Sequence, residues 1–494
     1  MTGTTHVNAD DRDVLSNGSV MIVSRIISAA LGWLGSVTMA RTLSPTDWGV
    51  YSFIFALLGL LAVITDLGVG RAVLARITTD DPAANRAAAG SFIILRMLLG
   101  ILGYGAAVAY AVASGQELRI CLLIAFAGTI VVLSTPANAL LVLYQSRLRL
   151  QFIAKWDIVG QIVQLAFIFL VAWLGPSISA FILASLVREV LVLAARWWGI
   201  RRGLLPDLTP SFRQPTLGWR ETLIEAIPLS AGYALFLLLT KIDQLMLERM
   251  VGFTPVGIYA ISYKFSDLLG LVITAIALPY TTVLVTSYVR KTELFVSRTR
   301  QALVGAATLG ALAVACFLPT ADGIIALLYG VEFESAGLSA RMLMVAAGCS
   351  GISTIALAVL LAARKLAGFP VAALAALAAK ITLNLWLIPR LGMNGAAVAT
   401  VITEGALMFA TLALAAVQLR LSGLIPVAAI VRLAVVSASI GYPLMLLNHL
   451  NRLHWLGAGF AAATLFFLYL WLTTAWPFDR IHPRDERPRH SASG

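Results

Sequence analysis

The chain is poor in charge and in the residues that build catalytic centres. Only 12% of its 494 residues are charged, against about a quarter in an average soluble protein. Cysteine occurs three times, as Cys121, Cys316 and Cys349, in or near apolar runs and without paired spacing, so these read as core residues. The five histidines (His6, His449, His454, His482 and His490) lie in the tails or in one late connection. No His/Glu cluster with metal-ligand spacing results, and no metal is expected. There is no Walker motif between a strand and a helix, and no long outward loop of the kind that membrane glycan polymerases and ligases use. With no catalytic constellation in view, the chain is not expected to be an enzyme.

What the chain has in abundance is apolar sequence, 60% of the total. Fourteen apolar runs approach or exceed the length needed to cross a bilayer as helices. They fall at 18–40, 49–70, 88–113, 119–143, 157–175, 178–198, 225–247, 255–285, 300–328, 336–362, 367–389, 394–418, 425–447 and 454–475. Gly175-Pro176 marks the turn within the tightest pair. The runs are continuous rather than alternating, which excludes a β-barrel because barrel strands alternate between lipid and lumen. The fold class is therefore all-α and polytopic.

Lys and Arg concentrate in alternate connections, such as Arg71 to Arg86, Arg147 to Lys155, Arg201 to Arg220, and Arg290 to Arg300. The positive-inside bias then places both termini in the cytoplasm. The formal net charge of +12 is largely this topology signal, and the basic residues lack the interleaved aromatics of a nucleic-acid surface. The acidic head, residues 1–17, lacks the basic start of a cleaved signal, and the Pro/Arg-rich tail at 476–494 reads as disordered.

A repeat organises the runs. Arg41, Thr46, Gly49 and Tyr51 recur as Arg249, Thr254, Gly257 and Tyr259, at an offset of 208 residues. The first copy joins segments one and two, and the second joins segments seven and eight. Repeated halves in a membrane chain point to alternating access with a substrate site between them. The expected organisation is an N-terminal lobe at 18–198, a cytoplasmic linker at 199–224, a C-terminal lobe at 225–418, and two appended helices at 425–475. Each lobe has six helices and the two are pseudo-symmetric, with both repeat copies in outward-facing turns.

Charges at membrane depth normally face a protein cavity or a partner, because lipid exposure is costly. The cations are Arg25, Arg96, Arg188, Lys241, Lys264 and Lys380. Each is either a substrate contact or a structural group that snorkels or pairs. Lys264 can pair with Asp267 at i,i+3, whereas Lys241 and Asp243 at i,i+2 cannot face each other. Lys380 with Glu404 is a further expected pair. If these charges line a cavity, they suit an anionic substrate such as a diphosphate, for which Arg offers a fork and Lys a mobile charge. Asp243, Asn384 and Glu404 are candidates for ion coupling or for pairing. The repeat breaks at this depth, since Trp33 and Gly35 occupy the positions of Lys241 and Asp243.

Three stretches carry a family resemblance: Ala40 to Arg76, Lys241 to Leu269, and LNLWLIPRLGMNGAAVATVITE at Leu383 to Glu404, with LYGVEFESAG at Leu328 to Gly337 adding to them. They resemble the polysaccharide-flippase branch of the multidrug/oligosaccharidyl-lipid/polysaccharide superfamily, the Wzx-type exporters of lipid-linked glycans. The resemblance implies two six-helix lobes in a V around a cationic cavity. It implies translocation of polyprenyl-diphosphate-linked oligosaccharide repeat units, driven by Na+ or H+ antiport or by membrane potential and requiring no cofactor. It places the protein in the bacterial inner membrane among lipids, with a glycan polymerase and glycosyltransferases as partners. The signature residues Gly49, Tyr51, Gly257, Tyr259, Asn384, Pro389, Gly392 and Gly395 read mainly as turns and packing. Alternatives are a lipid II flippase, a drug/cation antiporter, and a non-transporting scaffold for glycan assembly; the antiporter is disfavoured because the first helix carries Arg25 and no acid.

Overall fold

A computed structural model describes residues 7–473, apart from 67, 75, 80, 215, 217, 291, 422 and 451. Side chains at 7–20, 22, 63–64, 71, 227–234, 236–237, 278–279, 282, 289–290 and 292 also lie outside what is described. The tail expected at 476–494 falls outside it too.

The elements in order are α1 (Val7–Thr42), α2 (Pro45–Asp66), α3 (Val69–Leu74), α4 (Pro82–Ala113), α5 (Leu118–Ser146), α6 (Leu150–Leu174) and α7 (Ile178–Arg201). After a 3-10 turn at Pro206–Leu208 come α8 (Trp219–Val251), α9 (Phe253–Arg290) and α10 (Thr292–Tyr329). A second 3-10 turn, Val331–Ala336, leads to α11 (Gly337–Ala362), α12 (Phe369–Leu391), α13 (Met393–Leu419), α14 (Val427–His449) and α15 (Trp455–Leu472). Among the described residues there is no strand, and thirteen helices are long and apolar enough to cross a membrane. Helix α8 covers the remaining expected run at 225–247. The chain is an all-α, multi-pass membrane protein.

Several helices outrun their apolar stretches. Helix α8 starts at Trp219 rather than 225, and α10 at Thr292 rather than 300. Backbone hydrogen bonding continues past the bilayer boundary wherever no Pro or Gly stops it, while the apolar pattern ends there. Stop signals work where they occur. Gly175 and Pro176 separate α6 from α7, and the Ser177 side chain caps α7 by accepting from the Ala180 amide. Gly252, at φ +87°, ends α8 in the left-handed region that suits glycine.

By contacts the chain divides into two compact units. The first comprises 1–264, 325–339 and 369–403; the second comprises 265–324, 340–368 and 404–494. In the first unit α1 packs on α6, α4 on α5, and α12 on α8. Small residues allow the close approaches: a side chain at Gly128 would strike the Tyr104 ring, and one at Gly103 would strike Thr65. The connection after α7 is docked on this unit. Arg86 donates to the Pro206 carbonyl, Arg147 pairs with Asp207, the Ser211 amide donates to the Arg86 carbonyl, and the Trp219 indole donates to the Ser91 carbonyl.

The second unit has an alanine-rich core, with Ala302, Ala306, Ala307, Ala311 and Ala315 of α10 among its buried residues. Arg341 is pinned inside it by the Leu318 carbonyl at 2.8 Å and Asp322 at 2.5 Å. A cavity of about 280 Å³ is lined by Ala307, Gly310, Val314, Ile352, Met408 and Ala434 among others. Large apolar side chains such as Trp173, Phe460 and Trp471 are strongly exposed, as lipid contact requires and water contact would not tolerate.

Candidate functional site

The two repeat copies touch each other. Thr46 Oγ1 and Thr254 Oγ1 lie 2.7 Å apart. Gly49 and Gly257 cross so closely that a Cβ on Gly49 would collide with the Phe253 carbonyl, and one on Gly257 with the Pro45 carbonyl. The arginines of the two copies make reciprocal reaches. Arg41 donates to the Leu327 carbonyl in the last turn of α10, and Arg249 donates to the Ser114 carbonyl just past the end of α4. Both place a cation at a helix C-terminus, where the helix dipole favours positive charge. Gln116 adds a bond to Glu248 at 2.8 Å. The motif is therefore a clasp between the two sequence halves, built without a covalent link.

The deep cations have distinct fates. Arg25 is exposed on α1. Arg96 is buried and closes the end of α2, donating to the Thr65 carbonyl at 2.8 Å, the Asp66 carbonyl at 3.1 Å and the Asp66 carboxylate at 2.6 Å. This is a structural pin. Arg188 is half-buried and pairs with its neighbour Glu189. Lys241 is half-buried with its ammonium 5.7 Å from the Tyr263 ring centre, and Lys264 stands 5.9 Å from that of Trp48. Both stand within cation–π distance of an aromatic face.

Lys380 differs from the rest, being 1% exposed. Its expected partner was Glu404; its ion pair is with Asp243, Nζ to Oδ2 at 3.3 Å. Packing of α12 on α8 decides this choice, and it is a long-range contact with no local sequence signal. The ammonium also donates to the Leu239 carbonyl at 2.5 Å, one turn before Asp243 on α8. Asp243 is fully buried, and its Oδ2 also accepts from Tyr259 at 2.9 Å, Tyr263 at 2.5 Å and Thr400 at 3.3 Å. The Gln244 amide donates to Oδ1 at 3.0 Å. A buried ion pair is tolerated only when its remaining polar atoms find partners, and four helices supply them here: α8, α9, α12 and α13.

Asn384 follows Lys380 on the same helix. It lies one turn beyond Lys380 on α12, fully buried, with its amide nitrogen 3.7 Å from Met246 Sδ on α8. Its Oδ1 has no hydrogen-bond partner. Of the three coupling candidates, Asp243 pairs with Lys380, Asn384 lies one turn from Lys380 on α12 and meets Met246, and Glu404 is half-buried in the second unit. Tyr259, read from sequence as packing, is a ligand of the carboxylate. Only the acid two residues from Lys241 and the spacing of Tyr259 and Tyr263 at i,i+4 hinted at this. Its repeat mate Tyr51 stacks with Trp48 instead. Gly35, the mate of Asp243, faces Ile168 and Leu165, so the first half has an apolar contact where the second has the charge.

Two further pairs escaped the sequence reading. Arg196 is buried, donating to Asp157 at 2.7 Å and to the Ala137 carbonyl at 2.7 Å. Gln164 donates to Ser185 at 2.9 Å. Asp157 and Gln164 share a face of α6, and Ser185 and Arg196 share one of α7, so a polar seam runs between these helices. No group of three or more His, Cys, Asp or Glu residues with metal-binding geometry occurs among the described residues.

The backbone matches transporters of the MOP superfamily. A structure of the lipid II flippase MurJ in an inward closed conformation aligns with a TM-score of 0.71 at 13% identity, covering 92% of this chain and 98% of that one. An inward-facing multidrug resistance MATE family transporter aligns at 0.61 and 17% identity, covering 82% and 98%. A MOP superfamily transporter from Pyrococcus furiosus aligns at 0.60 and 15%, covering 83% and 96%. No curated protein sequence matches. The polysaccharide biosynthesis protein family matches residues 14–285, more than half of the chain, and the protein belongs to that family.

Proposed function

We propose that the protein flips polyprenyl-diphosphate-linked oligosaccharide repeat units from the cytoplasmic to the outer leaflet of a bacterial inner membrane. The units feed O-antigen, capsule or exopolysaccharide synthesis, and both termini face the cytoplasm. Lys241 carries the reading: its ammonium is half-buried in a membrane helix and lies on the face of Tyr263. A cation so held keeps hydrogen-bond donors for anionic oxygens. Arg188 adds a guanidinium whose pairing carboxylate is its own neighbour Glu189, and Arg25 and Lys264 complete the basic set, whereas Arg96 and Lys380 are taken up by buried protein partners. The apolar cavity in the second unit suits a hydrocarbon chain, the other half of such a substrate. The clasp between the repeat copies supplies a contact that opens and reforms during alternating access. A polymerase and glycosyltransferases are the expected neighbours in the membrane.

Depletion of the protein tests this. Lipid-linked oligosaccharide should accumulate on the cytoplasmic leaflet, and unchanged sidedness would refute the reading. Lys241→Ala and Arg188→Ala should each abolish export at normal protein levels. A lipid II flippase is the second reading, favoured by the extent of the backbone likeness to the MurJ structure. It predicts accumulation of peptidoglycan precursor on depletion instead.

A further inference from the structure

The Lys380 ammonium contacts the Asp243 carboxylate and the Leu239 carbonyl, and the Thr400 hydroxyl lies 3.3 Å from the same Asp243 oxygen, at one buried locus where α12 packs on α8 and α13 adds its hydroxyl. A carboxylate, a hydroxyl and a backbone carbonyl are among the oxygen donors that hard cations take. The cation within reach of these oxygens is the ammonium of Lys380, bound by Asp243 and by Leu239. Asn384, one helical turn along the same face, keeps a buried Oδ1 that the tethered ammonium does not satisfy.

We infer that Lys380 is a built-in cation that occupies a monovalent-cation site and keeps it closed to Na+. The inference deepens the transporter reading, because a locus filled by its own side chain draws on no sodium gradient; whether Na+ binds is measured without transport. Coupling through bound Na+ at Asp243 and Asn384, one of the two coupling ions that the family resemblance implies, does not fit the residues present.

The test compares full-length protein in NaCl and in choline chloride of equal ionic strength, by thermal unfolding and by binding of radiolabelled Na+. Wild-type protein should show the same midpoint in both salts and no saturable Na+ binding. Lys380→Ala removes the ammonium and leaves room at the locus, so it should gain saturable Na+ binding and a higher midpoint in NaCl than in choline. Adding Asp243→Asn to that variant should abolish both gains. Lys380→Met fills the same volume and should be destabilised in both salts alike. Saturable Na+ binding by the wild type that Asp243→Asn removes would overturn the inference. So would a Lys380→Ala variant that is folded without Na+ binding, or one equally unstable in both salts. Loss of glycan flipping in any variant bears on the proposed function and not on this outcome.

Discussion

The hydroxyls of Thr46 and Thr254 meet at 2.7 Å, although 208 residues separate them in sequence. They occupy equivalent places in the two repeat copies, so the duplicated motif binds to itself. Gly49 and Gly257 let the backbones cross beside this contact, and Arg41 and Arg249 each cap a helix of the other half. All of these bonds are small and polar. A single exposed hydrogen bond or cap contributes only about 0.3–1.5 kcal/mol, which suits the opening and closing that the proposed transport cycle requires.

Cysteines at both threonines should therefore lock the clasp. The double variant Thr46→Cys/Thr254→Cys should form an intramolecular disulfide under mild oxidation, since the two side chains already meet. Transport should stop on oxidation and return on reduction. Each single variant should transport in both conditions.

Gly257→Ala acts in the opposite sense. Its added methyl meets the Pro45 carbonyl, and overpacking of this kind costs about 1–3 kcal/mol. The clasp should be biased open, with a cysteine at Thr46 labelled faster by a membrane-impermeant maleimide than in the parent. Gly59→Ala, where a Cβ meets nothing within 4 Å, should leave labelling unchanged.

The Asp243–Lys380 pair should be strongly coupled in stability. Asp243→Asn or Lys380→Met alone leaves a buried charge without its partner, at a cost of about 3–5 kcal/mol. The double variant should be less destabilised than the two single losses added together, and a double-mutant cycle on unfolding midpoints reads the difference. Additive losses would refute the pairing.

Arg96 should prove structural. Arg96→Lys keeps the charge on a shorter side chain, which no longer brings one nitrogen to the Thr65 carbonyl, the Asp66 carbonyl and the Asp66 carboxylate together. The variant should unfold at lower temperature, and its transport per folded molecule should match the parent.

The helices were legible because each announces itself locally. Apolar runs as long as a bilayer is thick admit few alternatives to helix, and Gly175-Pro176 separated α6 from α7 by backbone chemistry alone. The deep charges were legible for the same reason, since each stands out against its own segment. Their partners were not. Lys380 takes Asp243 rather than Glu404 because of how α12 lies on α8, and helix rotation is written in packing over the whole length of a helix. Tyr259 shows the limit most plainly. Its repeat position suggested a turn residue, yet its hydroxyl serves the carboxylate that the first half lacks. Arg196 with Asp157 was missed because both sit toward helix ends, where water was the simpler partner to assume.

In the proposed function, this fold moves a diphosphate-linked glycolipid with Lys241 in contact with it. The direct measurement is flipping of a polyprenyl-diphosphate-linked oligosaccharide in proteoliposomes containing only the purified protein, followed by accessibility of the glycan to an external lectin or glycosidase. Exposure of the glycan should depend on the protein, and Lys241→Ala should reduce it to the level of empty liposomes while the protein remains folded. Equal exposure with and without the wild-type protein, or full flipping by Lys241→Ala, would contradict the proposal.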